Sequence, residues 1–452
     1  MKPSWMNSVL PIAAIFSFRM LGLFMLIPVF TVYAIELKDE TPALIGIALG
    51  SYGLSQGLLQ MPMGMLSDRF GRKRIIAIGL TLFVLGSLWG ALTTSIYGMI
   101  AARVIQGTGA VGSVLIALLA DLTPDTMRTK AMAVVGATIG LSFSLAMVLS
   151  PGIAYLFGLS GIFYFTVILG LIGLMILWWI IPSPPKEPFH YDAEAKPRFL
   201  KEVLKNPHLQ RLNAGIFSQH FILTSTFFAI PIILQQFISD NSLTSSWTFY
   251  LPIMFFSFIA MVPFIVLAER KHKMKPVFLV SVSLIAICQF FLAFGFHQLM
   301  TLATLVFVYF IAFNFLEASL PSLVSKQADP KAKGTGMGVY STAQFLGIFL
   351  GGTVAGFAYK YTGSQGIFMI NGLLAICWLL IALFMKPNDY LTTLTIPFDT
   401  TVRLPSETLT KLQSIHGVKQ VVISKEENTI YFKINKEQYT PGSIETTLHP
   451  KR

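Results

Sequence analysis

Apolar residues run through this chain in blocks long enough to cross a bilayer, roughly 20 residues each, with short polar turns between them. Twelve blocks are legible. Six lie at about 8–35, 43–66, 75–94, 96–120, 131–157 and 159–181, and six at about 208–238, 246–268, 276–296, 299–324, 334–359 and 365–386. Each predicts a helix, because an open sheet cannot satisfy its backbone in hydrocarbon. The first block runs through Tyr33-Ala34-Ile35 into a polar turn without a small-residue cleavage site, so it reads as a span and not as a signal peptide. Between the two sets, Pro182, Pro184, Pro185, Pro188, Pro197 and Pro207 appear among mixed charges. The predicted domains are a six-helix bundle at 1–182, a linker at 183–207, a second six-helix bundle at 208–387 and a polar tail at 388–452.

Composition supports the membrane reading. Charged residues make up 12% of the chain, against about 25% in soluble domains, and mean hydropathy is +0.68. The two cysteines, Cys288 and Cys377, lie in apolar blocks and provide neither a disulfide framework nor a metal site. The net charge of +12 follows from topology. Lys and Arg crowd the linker and the loops on its side, while the opposite loops hold only Lys38 and Lys360. The positive-inside rule then places both termini and the linker in the cytoplasm, and nucleic-acid binding is not needed to explain the charge. The linker is basic enough to touch anionic lipid.

The halves echo each other. Lys130-Ala-Met-Ala-Val134 opens the fifth block after a basic turn, and Thr335-Gly-Met-Gly-Val339 opens the eleventh in the same way, 205 residues later. Two copies of one topology imply an axis along the membrane normal and a central cavity between the bundles.

The most specific local signal is Gly64-Met-Leu-Ser-Asp68-Arg69-Phe-Gly71-Arg72-Lys73-Arg74, between the second and third blocks. It resembles the 2–3 loop signature G-x-L-x-D-R-x-G-R-[RK] of the major facilitator superfamily. The resemblance implies that Asp68 faces the start of the eleventh helix, where free amides favour an anion, and that the loop locks an outward-facing state. A topological anchor is the alternative. In the same family an acid in the place of Asp121 pairs with the motif arginine, here Arg72; a solvated helix-end carboxylate is the other reading. Arg103-Val-Ile-Gln106-Gly107-Thr-Gly109-Ala110, in the fourth block, resembles the superfamily's R-x-x-Q-G-x-G-A motif. A lone arginine in hydrocarbon needs a cavity or a partner. The resemblance links Arg103 to proton handling, and a structural hydrogen-bond hub competes with that reading.

Drug-type antiporters of this superfamily carry a glycine-proline signature in the fifth span. Here it is degenerate, with Ser150-Pro151-Gly152 as the remaining small-residue bend and alanines at 137, 146 and 154. Two more intramembrane ions stand out. Glu317, in Asn314-Phe-Leu-Glu317-Ala-Ser-Leu-Pro321, shares a helix face with Asn314 and is the leading proton-site candidate, against a permanent salt bridge. Arg19 occupies a span where many drug/proton antiporters have an acid, and reads as an anion ligand or as the balance for Glu317. Asn314, Gln106, His220, Phe221 and Gln235 are the substrate-cavity candidates, with simple packing as the competing reading for His220 and the phenylalanines.

Residues 388–452 hold 8 bases and 7 acids. Their pattern predicts a strand at 391–398, a helix from Pro405 to about His416-Gly417, strands at 418–424 and 429–434, and a short helix after Pro441-Gly442. That order resembles a ferredoxin-like, heavy-metal-associated domain. The stretch 399–405 lacks the cysteines that metal carriers need, so metal delivery is not expected.

The resulting expectation is an all-α membrane protein of the major facilitator fold, with twelve transmembrane helices as two six-helix bundles plus a small α+β ferredoxin-like tail. It resembles the drug:proton antiporter type with a soluble C-terminal domain. The expected activity is proton-coupled efflux of a small amphipathic or drug-like compound by alternating access. Proton-coupled uptake, facilitated diffusion of a metabolite, and a sensor acting through the tail are the alternatives. Expected partners are a small-molecule substrate, protons and the lipid bilayer, for a monomer whose tail is free to make further contacts. The resemblance implies a bacterial inner membrane. Nothing in the sequence points to a cofactor, a metal, an enzyme or an ATP-binding G-x-x-x-x-G-K-[ST] loop.

Overall fold

The computed structural model describes residues 6–123, 125–182, 197–329, 332–385, 391–397, 406–424, 429–435 and 438–448. Helices α1 (Met6–Phe24) and α2 (Phe30–Tyr33) make the first crossing, α3 (Pro42–Phe70) the second and α4 (Arg72–Leu92) the third. The fourth is split into α5 (Ile96–Thr108) and α6 (Gly112–Asp121). A long α7 (Asp125–Trp179) and α8 (Pro197–Lys205) precede α9 (Pro207–Ser239), α10 (Ser246–Glu269), α11 (Met274–Gly295), α12 (Leu299–Gln327) and α13 (Lys333–Leu383).

Start signals are local. Thr41 and Ser95 cap α3 and α5 by accepting from Leu44 N (3.2 Å) and Gly98 N (3.1 Å). Asn206 caps α9 by accepting from His208 N at 3.0 Å, with Pro207 at the first helical position. Gly71, with φ 96°, ends α3 and leads directly into α4.

Helix α7 holds 55 residues, about 80 Å at 1.5 Å per residue, far more than a bilayer about 30 Å thick. It is interrupted at Gly158 (φ 63°, ψ −168°). Both sides of the break meet α1: Ser142 bonds Ser17 at 2.6 Å, and Thr166 lies 2.7 Å from where a Cβ on Gly22 would sit. α7 is therefore a hairpin of two spans. α13, with 51 residues, is interrupted at Gly363. Ten helices or helix pairs are long and apolar enough to cross, and two of these fold back, which yields twelve crossings among the described residues. Outward stripes such as Leu141, Leu145 and Leu149, or Phe255, Ile259 and Val262, are exposed as a lipid-facing surface.

The halves meet along α3 and α13. A Cβ on Gly46 would lie 2.3 Å from Gly352 O, and one on Gly50 2.6 Å from Phe349 O, so backbone packs on backbone. The other side of α13 packs on α9 in the same manner, with Phe221 O 2.4 Å from the Cβ position of Gly351.

In the tail, β1 (Leu391–Pro397), α14 (Ser406–Ser414), β2 (Val418–Ser424), β3 (Thr429–Asn435) and α15 (Ser443–Leu448) form an antiparallel sheet ordered β1–β3–β2, with two helices. The expected elements recur with small boundary shifts: α14 stops at Ser414 and not at His416-Gly417. Pro405 and the turn at 425–428 lie outside the described residues. Leu412, Ile430, Phe432, Ile434 and Ile444 form the tail core. Tyr431 and Lys433, on the other face of β3, are buried too. Lys433 Nζ donates to Ala328 O, at the end of α12, at 2.9 Å.

Candidate functional site

The charged side chains predicted from sequence fall into three separate groups. The first is at the loop between α3 and α4. Arg72 is buried and donates to Asp68 Oδ1, to Ser67 Oγ at 2.6 Å and to Asp121 Oδ2 at 3.1 Å. One guanidinium, with its rigid fork of donors, thus ties the loop to the end of α6. Gly64 stands on the same helix facing Ser113, and Arg69 lies over the Phe70 ring. The Arg72–Asp121 pair inferred from the family resemblance is present.

The second group fills the first bundle. Arg103 donates to Gln106 Oε1, and Gln106 Nε2 donates to Ser87 Oγ at 2.9 Å. The Arg103 guanidinium lies 4.9 Å from the centre of the Tyr52 ring. Arg19 reaches the same tyrosine from another side, with Nη2 donating to Tyr52 Oη at 3.0 Å and to Gln56 Oε1. Arg19 therefore does not balance Glu317, as one of the sequence readings had it; its contacts are neutral groups of α3. The signal that marks these partners is the i, i+4, i+8 stripe Tyr52, Gln56, Gln60 on a transmembrane helix.

The third group lies in the second bundle. Gln219 Nε2 donates to Glu317 Oε2 at 2.9 Å, and His220 Nε2 lies 3.8 Å from the same oxygen. His220 Nε2 is also 2.8 Å from Gln344 Nε2 on α13. Glu317 on α12 thus sits at a node joining α9, α12 and α13. Asn314 turns away to Ser257 Oγ at 3.3 Å. Phe143 of the first bundle stacks on Phe313 at 6.0 Å and meets Phe310 at 5.9 Å, closing the space between the bundles with aromatic rings.

The remaining candidates do not converge on that node. Phe221 is buried against Phe217 and α13 and serves helix packing. Gln235 lines a cavity of about 420 Å³ at the end of the bundle away from the linker, with Thr31, Ile35, Phe228 and Tyr359. Pro151 and Gly152 lie within the first span of α7; beside them Ser150 donates to Met25 O, where α1 has ended. Three features were missed in the sequence. One is Gln344. Another is the buried Ser225–Asn371–Thr226–Gln289 network, linked by bonds of 2.5–3.2 Å. The last is the break between α5 and α6.

Comparison with known proteins agrees with this architecture. Residues 12–352 match the family profile described as Major Facilitator Superfamily. The chain is 39% identical over 448 residues to "Inner membrane transport protein YajR" of Escherichia coli (strain K12), covering 99% of this chain and 98% of that protein. The structure of the E. coli xylose transporter XylE, in a partially occluded inward-open conformation, superposes with a TM-score of 0.67 at 16% identity, over 84% of this chain and 97% of that one. The human organic anion transporter MFSD10 superposes with a TM-score of 0.60 at 19% identity, over 84% and 100%. At such identities the two structures speak to fold alone.

Proposed function

Since the chain belongs to the major facilitator superfamily, we propose that it is a proton-coupled secondary transporter that exports a small amphipathic compound by alternating access. The observation that carries this reading is the node at Glu317. A half-buried carboxylate within a membrane span accepts from Gln219 and faces His220, which reaches Gln344 on the helix that seams the two bundles. Taking up a proton cancels the negative charge. The charge-assisted bond from Gln219 then weakens toward a neutral one, and α12 is released from α9. His220 Nε2, which accepts from Gln344 Nε2 on α13, stands 3.8 Å from the carboxylate, so the change in charge is felt at α13, whose other face packs on α3. Arg72, gripping Asp68 and Asp121, holds the gate at the linker end, which the basic loops assign to the cytoplasm. In this reading the tail is a ferredoxin-like cytoplasmic domain, and the working unit is a monomer in a bacterial inner membrane.

The experiment is proton flux in proteoliposomes with an imposed pH gradient, with amphipathic cations, anions and neutral compounds added one at a time. Substrate-triggered proton movement is expected in the wild type and absent in Glu317→Gln, with folding retained. Coupling that survives Glu317→Gln removes Glu317 from the mechanism. Uphill movement of one compound against each direction of the gradient distinguishes export from uptake.

A further inference from the structure

The fourth crossing is discontinuous. Helix α5 ends at Thr108, and Gly109, Ala110 and Val111 leave helical geometry before α6 begins at Gly112 (Gly109 φ −69°, ψ 42°; Val111 φ −97°, ψ 8°). No side chain caps α6, and the first backbone bond into it is Leu115 N to Val111 O, at 2.9 Å. The amides of Gly112, Ser113 and Val114 are thus the free amides that every helix start exposes. They lie in the middle of a membrane span, without bulk water to satisfy them. Ser113 Oγ ties the break to α3 by donating to Gln60 O at 3.0 Å.

A buried cation is aimed at this helix start. Arg19 is 2% exposed, and its Nη1 lies 3.6 Å from where a Cβ on Gly112 would sit; Gln60 Nε2 is 3.1 Å from the same point. Arg19 Nη2 is taken by Tyr52 and Gln56, whereas its Nε and Nη1 have no hydrogen-bond partner. Arg103, also buried, stacks on the same Tyr52 and leaves Nε without a partner. Neither arginine makes an ion pair among the described residues. The positive pole of α6 and a guanidinium therefore converge on one point with no carboxylate between them. Two like charges held together in hydrocarbon are costly unless an anion bridges them, and a half-helix start within a membrane is where transported anions bind in other architectures.

We propose that Arg19 and the N-terminus of α6 form the headgroup site for an anionic substrate, an amphipathic compound carrying a carboxylate or sulfonate. The inference rests on the transporter reading and names its substrate class. The anion accepts from Arg19 Nη1 and from the first amides of α6. Gly112 is required because a side chain there would occupy the anion's place. Tyr52 and Gln56 orient the guanidinium.

The test is binding to the full-length protein in lipid nanodiscs, read as thermal stabilisation and by titration. The probes are octanoate and 1-naphthalenesulfonate, with octyltrimethylammonium, octanol and sodium chloride as controls. The wild type is expected to bind the two organic anions and none of the controls. Arg19→Gln should weaken anion binding tenfold or more, and Arg19→Lys by less. Gly112→Ala, which leaves every charge in place, should also weaken it several-fold and carries the test should Arg19→Gln fail to fold. Equal anion affinity in the wild type and in either Arg19→Gln or Gly112→Ala overturns the site. So does binding of the cation or the alcohol alone. Sodium chloride reproducing the Arg19-dependent stabilisation makes this an inorganic-ion site and overturns the substrate assignment. Arg19-dependent binding without any proton flux would sink the coupling proposal and leave this site standing.

Discussion

Gly158 and Gly363 stand 205 residues apart and hold the same rare backbone conformation, φ 63° with ψ −168° and −161° respectively. Each sits at the fold-back of a helical hairpin, and each would give a Cβ no neighbour within 4 Å. The internal repeat is therefore expressed as backbone geometry at matching positions. This region of φ/ψ space belongs essentially to glycine, and another residue costs of order 1–3 kcal/mol there. Gly158→Ala and Gly363→Ala should each destabilise by that amount, with additive effects because the sites are distant. Thermal unfolding of the purified protein measures it; a loss at one site only would break the equivalence.

The Arg72 guanidinium serves Ser67, Asp68 and Asp121 together. Arg72→Ala removes this donor from all three and should cost about 1–3 kcal/mol. Because the Asp121 side chain is 22% exposed, its own coupling to Arg72 should be smaller, about 1 kcal/mol or less, in a double-mutant cycle. Asp68→Asn should shift the balance of gate conformations. Spin-label distances between the α3–α4 loop and the start of α13 provide the measurement, and unchanged populations would reduce the motif to an anchor.

Gly50→Val should act on the seam. Its side chain would meet the backbone of Phe349, which cannot yield as a rotamer does. The expected result is a protein that folds but does not close at the end away from the linker, with transport lost and cysteine probes near Gln235 more accessible than in the wild type. Full transport with unchanged accessibility would mean that the seam tolerates separation.

Lys433 carries one contact between the tail and the membrane unit, beside a bond from Gln420 Nε2 to Asp329 Oδ2 at 3.4 Å. Lys433→Met keeps the aliphatic stem and removes the donor. Backbone hydrogen exchange in β2 and β3 should rise while that of α9 and α13 stays fixed. Identical exchange in the variant would show that the sheet is held by other contacts.

Much of this was legible in the sequence, for identifiable reasons. Hydropathy marks the crossings because water-free backbone has few options, and the loop signature fixed Arg72 and Asp121 as partners through a family resemblance. The break at 109–111 escaped because Gly-Ala-Val reads as one more apolar stretch; average hydropathy carries no information about φ and ψ. The contacts of Arg19 escaped because which helix face meets which neighbour is decided by packing between segments far apart in the chain. Alternation along β3 separates Phe432 from Lys433, yet it does not say that the end of another helix covers the lysine. Gln235, expected as a substrate-cavity residue, does line a cavity, but the path of α9 sets that cavity at the far mouth, away from Glu317.

The bond between Lys433 and Ala328 joins the sheet of the tail to the helix that bears Glu317, eleven residues and about 16 Å away along α12. If α12 turns during the proposed cycle, this bond should carry the tail sheet with it. One dye on β2 and another on the α3–α4 loop would convert each cycle into a change of light, making the molecule a gauge of its own activity without a label in the membrane.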